Sequence, residues 1–371
     1  MIPLSRPSIR RRDMDAVLSC MVTDNLGPGS LSDQLTSAVG GYLGIAGGIA
    51  LRERSRAFAM AIDGLSLTAG HGVVLDPLLP YSYHEALRER GLVPLCADVL
   101  DSSLCIDPEA AERVMTRFTE AGGVVGALIA HTTLGYVPDM QALGALGVPI
   151  IEDVSEGVGS NTGEEQTGRF GRFVVVAMEP DGIVTAGGGS LLLAAGRNDR
   201  AALRRAADEL PVDALLPDMN AALGLTQIKE IEGFVARRAE IASTFSRAIM
   251  RGRHRVPVQP ADAQNVHCTF PVLVEGSVPE IVAYSRKKGV EAALAFPGTI
   301  IDRVGQAAAA SDDTDTTSTP DCDPTNADSW SFYDELPVAR GLLLRCVRFP
   351  LYPSLTAKET AVIERVLTTL P

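Results

Sequence analysis

From residue 13 to about 235 the chain alternates between two hydrophobic periods. Apolar residues recur at helical spacing in "RDMDAVLSCMV" (12–22), "RSRAFAMAIDGLSL" (54–67), "YHEALRERG" (83–91), "PEAAERVMTRFTEAG" (108–122) and "DMQALGALG" (139–147). Between and after them lie short apolar runs that predict buried strands: "HGVVLDPLL", "LVPLCADV", "VVGALIAH", "VPIIEDVS", "RFVVVAM" and "SLLLA". This alternation predicts an α/β architecture, a mainly parallel mixed sheet flanked by helices. In such sheets ligands sit beyond the carboxyl ends of the strands, which groups His131, Asp153 and the stretch Glu179–Gly182 as a candidate site.

A long helical run, "DMNAALGLTQIKEIEGFVARRAEIASTFSRAIMRG" (218–252), carries a break expected near Gly233 and leads into a second pattern. There "NVHCTFPVLVEG" predicts a strand, "PEIVAYSRKKG" a helix and "TAKETAVIERVLTTL" a terminal helix. The expected division is a large α/β domain over 1–235, with an N-terminal arm at 1–12, and a smaller C-terminal α+β domain over 236–371. Residues 305–331, rich in Ala, Ser, Thr and Asp, read as a disordered acidic insertion, because they have too little apolar surface to order themselves. Its aspartates lack the central glycine and closing glutamate of a calcium loop.

Composition narrows the function class. The net charge is −13, with 46% apolar and 21% charged residues and no basic stripe, so nucleic acid and anionic membranes are poor partners. Six scattered cysteines include no C-x-x-C pair, which excludes the usual metal spacings and fits reduced thiols of the cytoplasm. The N-terminus shows no apolar signal region, and no run reaches the ~18–20 apolar residues of a membrane span. "GGGSLLLA" is read as a turn between strands, since a strand rather than a helix follows it. "VHCTF" is read as strand, which would send His267 and Cys268 to opposite faces.

An ordered set of words carries a more specific signal: "IPLSRPSI", "NLGPG", "IDPEAAERVM", "HTTLGYVPDM", "IEDVSEGVGS", "GRFGRF", "MNAALGLTQI", "ARRAEIA" and "FPLYPSLTAKE". Together they resemble the DegT/DnrJ/EryC1/StrS sugar aminotransferases, pyridoxal-phosphate enzymes of fold type I. The resemblance implies that Asp153, in "EDVSE", holds the place of the carboxylate that keeps the cofactor's pyridine nitrogen protonated. Glu156 then stands where the family has Gln or His, and a second carboxylate there would raise one pKa of the pair.

The same resemblance implies what is missing. The family's Schiff-base lysine, whose amine forms the imine with the cofactor, falls on Gly182 when its word is laid on "GRFGRFVVVAMEPDGIVTAGGGS". No lysine occurs before Lys229. The Ser-Gly-Thr phosphate turn reads Glu53, Arg54 and Ser55, and a further phosphate serine is Ala177. The partner-subunit asparagine and arginine become Asp213 and Leu215, and the stacking aromatic is sought in Tyr81 or Tyr83.

The expectation is therefore a family member of nucleotide-sugar or polysaccharide biosynthesis type without classical transamination. It has no catalytic residue and no metal; Asp153, Glu156 and Ser55 are vestigial cofactor ligands. Pyridoxal or pyridoxamine phosphate is implied by the family only. Arg54 and His131 are candidate ligand-binding residues for a small molecule such as a nucleotide sugar, and Arg52, Arg54 and Arg56 are weighed together as an anion grip. A homodimer is expected, as in the fold type. The alternatives are a pyridoxamine-phosphate-dependent dehydratase with His84 or His131 as base, a displaced lysine such as Lys229, and a non-catalytic partner of an active paralogue.

Overall fold

The computed structural model describes residues 1–259, 262–303 and 336–371. The expected acidic insertion at 305–331 lies outside these residues. Seven strands form the principal sheet: β1 (Gly48–Leu51), β2 (Gly72–Leu75), β3 (Val93–Cys96), β4 (Val125–His131), β5 (Ile150–Asp153), β8 (Phe173–Ala177) and β9 (Ser190–Ala194). Between β5 and β8 the two-residue strands β6 (Asn161–Thr162) and β7 (Glu165–Gln166) form a ribbon with β10 (Ala263–Gln264). The sheet order is β1-β9-β8-β5-β4-β2-β3, and β9 is antiparallel to both its neighbours while the β8-β5-β4-β2-β3 pairs are parallel. Every residue of β2, β8 and β9 is buried, as continuous apolar runs such as "FVVVA" require when helices cover both faces.

The covering helices begin and end where their sequences say they should. α5 (Pro108–Glu120) starts with Asp107 accepting the amide of Glu109 and with proline in its first turn. α2 (Ser30–Leu43), which the pattern reading did not single out, stops at Gly44 in the left-handed conformation. The other helices of this part are α1 (Arg11–Val22), α3 (Arg54–Gly64), α4 (Tyr81–Glu89), α6 (Met140–Ala145) and α7 (Arg197–Asp208).

The long helical run is two helices, α8 (Asp218–Ile228) and α9 (Ile231–Ile249). The break falls at Lys229–Glu230, and Gly233 continues inside α9 because helical neighbours on both sides hold it. α9 spans two cores. Ile231 and Val235 pack beside the principal sheet, whereas Ile241, Ala242 and Phe245 pack in the second core. That core covers a three-stranded sheet of β11 (Phe270–Leu273), β12 (Ala293–Leu294) and β13 (Cys346–Phe349), with α10 (Val278–Lys287) and α12 (Ala357–Thr368). The helix α11 (Pro337–Arg345) leads into β13. Ile2 of the N-terminal arm packs in this second core and pairs with Val290.

Candidate functional site

The carboxyl edge of the principal sheet brings the predicted residues together. His131 ends β4 and Asp153 ends β5, and the two are register partners. Beside them Val175 of β8 pairs with Asp153, and the loop from Met178 to Gly189 returns to β9 carrying Glu179, Asp181 and Gly182. Gly187, Gly188 and Gly189 all have positive φ, and a Cβ on Gly189 would lie 2.3 Å from Leu216, so the glycines are a steric requirement of this turn.

Asp153 is fully buried, and both of its carboxylate oxygens are engaged. One accepts from Arg54 Nε at 3.0 Å, from Arg54 Nη2 at 2.6 Å and from the Tyr83 hydroxyl. The other accepts from the Ser155 amide at 3.0 Å and the Ser155 hydroxyl at 2.5 Å. Burial alone would push the Asp153 carboxyl up, but the Arg54 guanidinium and these donors outweigh it and hold it at about 2. Burial likewise works against the charge on Arg54, and the adjoining Asp153 carboxylate overrides it. Tyr83 is locked beneath: its ring stacks on Phe58 at 4.0 Å and lies under the Arg54 guanidinium.

Arg54 also continues the network. Its Nη2 lies 3.4 Å from His131 Nε2, and His131 Nδ1 lies 3.2 Å from the Thr133 hydroxyl, which is 3.1 Å from Asp76. Because guanidinium can only donate, the tautomer consistent with this chain has Nε2 accepting and Nδ1–H donating. Burial lowers the His131 pKa, in keeping with a neutral ring. Burial pushes the Asp76 carboxyl up to about 7 against the donors Leu78 N–H and Thr133 O–H. Glu156 accepts the amide of Leu134 at 2.6 Å and lies 3.8 Å from His131.

Two adjoining cavities open on this network and share Arg54, Leu134, Glu156 and Arg348 as walls. The first, about 240 Å³, reaches Ala177, Glu179, Asp181 and Gly182 on one side and Arg238 and Thr269 on the other. The second, about 180 Å³, contains His131. None of the four lysines of the chain lines either cavity, and Lys229 is exposed at the end of α8. Gly182 has an ordinary backbone conformation, and a Cβ there would meet the carbonyls of Glu179 and Val184 at 3.2 Å.

Several expected residues are placed elsewhere. Ser55 lines a separate surface cleft with Glu53 and Arg56 instead of either cavity. Arg52, Arg54 and Arg56 do not converge: Arg52 precedes the helix and reaches the Asp213 carbonyl at 2.9 Å, while Arg54 turns in to Asp153 and Arg56, two helix positions or about 200° further on, faces the surface cleft. His267 and Cys268 precede β11 rather than lying in it, with His267 at φ 52°. His84 is buried against Tyr81 rather than reaching a cavity.

Arg238 and Arg348 were missed, although each leaves a trace in the sequence. Arg238 falls in phase with the buried stripe Ile231, Phe234, Val235, Ile241, Phe245 of α9, where a charge is out of place. Arg348 alternates with the core residues Val347 and Phe349, so the pleat sends it to the opposite face of the small sheet.

Among the described residues no group of side chains is arranged to hold a metal, and no helix is long and apolar enough to cross a membrane. The arrangement, a mainly parallel seven-stranded sheet with a polar network at its carboxyl edge and a small sheet beyond, is that of pyridoxal-phosphate-dependent aminotransferases. Solved structures share it: the aminotransferase TlmJ from Streptoalloteichus hindustanus superposes with a TM-score of 0.83 at 19% identity, covering 99% of this chain and 98% of that one. A mutant of the GDP-4-keto-6-deoxymannose-3-dehydratase ColD with bound GDP-perosamine superposes with a TM-score of 0.84 at 15% identity, over 99% and 100% of the two chains. The chain belongs to the DegT/DnrJ/EryC1/StrS aminotransferase family, whose model matches residues 7–367. It is 24% identical to EpsN of Bacillus subtilis (strain 168), assigned as a pyridoxal phosphate-dependent aminotransferase, over 78% of this chain and 80% of the relative.

Proposed function

We propose that this chain has left the Schiff-base chemistry of its family and binds a small anionic ligand in the cavities at the carboxyl edge of the sheet. A nucleotide sugar is the ligand class that family membership suggests, and the role suggested is one in nucleotide-sugar or polysaccharide biosynthesis. The observation that carries the reading is the state of Asp153: both its oxygens are committed to Arg54, Tyr83 and Ser155. A pyridine nitrogen needs a carboxylate with an open acceptor position, and here a guanidinium already stands beside it. The residues therefore do not fit pyridoxal phosphate, and the absence of lysine from both cavity walls agrees.

The protein is read as cytoplasmic and as a homodimer. The exposed apolar residues Met14, Leu18, Met21 and Val22 on α1 support a partner surface there. A dehydratase using pyridoxamine phosphate is the second reading, favoured by one observation: His131, a buried base of lowered pKa, lines the second cavity. Titration of the purified protein with pyridoxal and pyridoxamine phosphates, followed by absorbance, borohydride trapping and calorimetry, separates the readings. No binding of either is expected. Tight binding of pyridoxamine phosphate alone would move the assignment to the dehydratase.

A further inference from the structure

The first cavity has a second polar wall, made by α9 and β13 rather than by the principal sheet. Arg238 is 3% exposed. Its Nη1 donates to three backbone carbonyls, His267 at 2.9 Å, Cys268 at 2.8 Å and Leu351 at 2.9 Å. These bonds fix the guanidinium but supply no countercharge, and its buried Nε has no acceptor. Burial pulls its pKa down to about 10, so it stays charged at neutral pH. Arg348 stands in the same wall, likewise with a buried Nε lacking an acceptor and no ion pair among the described residues.

Arg54, Arg6 and three carboxylates, Glu156, Glu179 and Asp181, also line this cavity. Arg54 is neutralised by Asp153, and Arg6 lies 3.6 Å from Glu359. Glu156 is held by the Leu134 amide, while Glu179 and Asp181 are exposed at the mouth, where Asp181 lends Arg238 some compensation at long range. Arg238 is buried and Arg348 half-buried, and among the described residues neither has a carboxylate in hydrogen-bond contact, so an anion between them would be stabilised.

We infer that the Arg238–Arg348 wall is an oxyanion site, taking a carboxylate or phosphate group of a small ligand by charge-assisted hydrogen bonds from both guanidiniums. It rests on the reading of the cavity as a small-ligand site and adds the group by which the ligand is held. Arg238 fixes the position, because its carbonyl bonds allow it no other. Arg348, free of such bonds, supplies the selectivity and closes on the anion.

The test is calorimetric titration of the full chain with sodium phosphate and, separately, with sodium succinate, repeated on Arg348→Gln and Arg348→Lys. One of the two probes is expected to bind with one site per chain, and which one identifies the group. Arg348→Gln is expected to weaken it at least tenfold, and Arg348→Lys to weaken it less, since the charge remains. Arg238→Lys serves as a second variant, its fold checked by circular dichroism, and is also expected to weaken binding. Failure of both probes to bind the wild type, or binding by Arg348→Gln as tight as by wild type, would overturn the inference. A borohydride adduct on a lysine would sink the proposed function but leave this result standing, because neither probe carries a carbonyl able to form an imine.

Discussion

The cavity has two arginine corners, and they solve the burial of a cation in opposite ways. At the Asp153 corner Arg54 meets a carboxylate, a phenol and an imidazole, and both oxygens of Asp153 find donors within the protein. At the α9–β13 corner, among the described residues, Arg238 meets only carbonyl oxygens, and Arg348 meets none. A polar network satisfied from within has no reason to admit a ligand, whereas a buried charge without a countercharge gains from one. Asp153, which family membership would give to a pyridine ring, is engaged by donors of the protein, and the guanidiniums without a carboxylate partner among the described residues lie across the cavity.

The largest expected effect tests the closed corner. Arg54→Ala would leave the Asp153 carboxylate buried without its cation, a loss of about 3–5 kcal/mol of stability, measured by urea unfolding. Adding Asp153→Asn should recover much of it, since the orphaned charge goes too. A cost below about 1 kcal/mol for Arg54→Ala would mean that the two corners are not different in kind.

A smaller effect sharpens the same point through pH. The Asp153 carboxyl is held at about 2 against an ordinary aspartate value of 3.8, so the unfolded chain binds its proton first as acid is added. Its contribution, on the order of 2 kcal/mol, is complete above about pH 4 and is lost as pH falls towards 2. Stability of the wild type should therefore drop more steeply across pH 4 to 2 than that of Asp153→Asn. Parallel curves would contradict the assignment.

The smallest effect belongs to the open corner. Arg348→Met removes a cation with no ion pair among the described residues, and unfolding should change by less than about 1 kcal/mol, within the range of substitutions away from packed networks. A large loss would show that Arg348 is held by the fold and not kept for a ligand.

The sheet was legible because its strands are continuous apolar runs; "FVVVA" and "SLLLA" admit few other readings. His131 and Asp153 were legible as neighbours because parallel strands align their carboxyl ends. The pairing of Arg54 with Asp153 was not, since 99 residues separate them and only the packing of α3 across the sheet edge brings them together. Reading Arg52, Arg54 and Arg56 as one cluster failed because a helix start sends alternate residues to different sides. Arg238 had a signal in the phase of α9, but helical phase shows only that a residue is buried, not what lies opposite.

The most direct test of the central claim is borohydride reduction of the full chain in the presence of pyridoxal phosphate, read by mass spectrometry of its peptides. With Asp153 closed by Arg54 and no lysine on the cavity walls, no specific adduct is expected at stoichiometric cofactor. A single reduced adduct on one lysine, formed saturably with the absorbance of an imine, would contradict the account and return the protein to transamination.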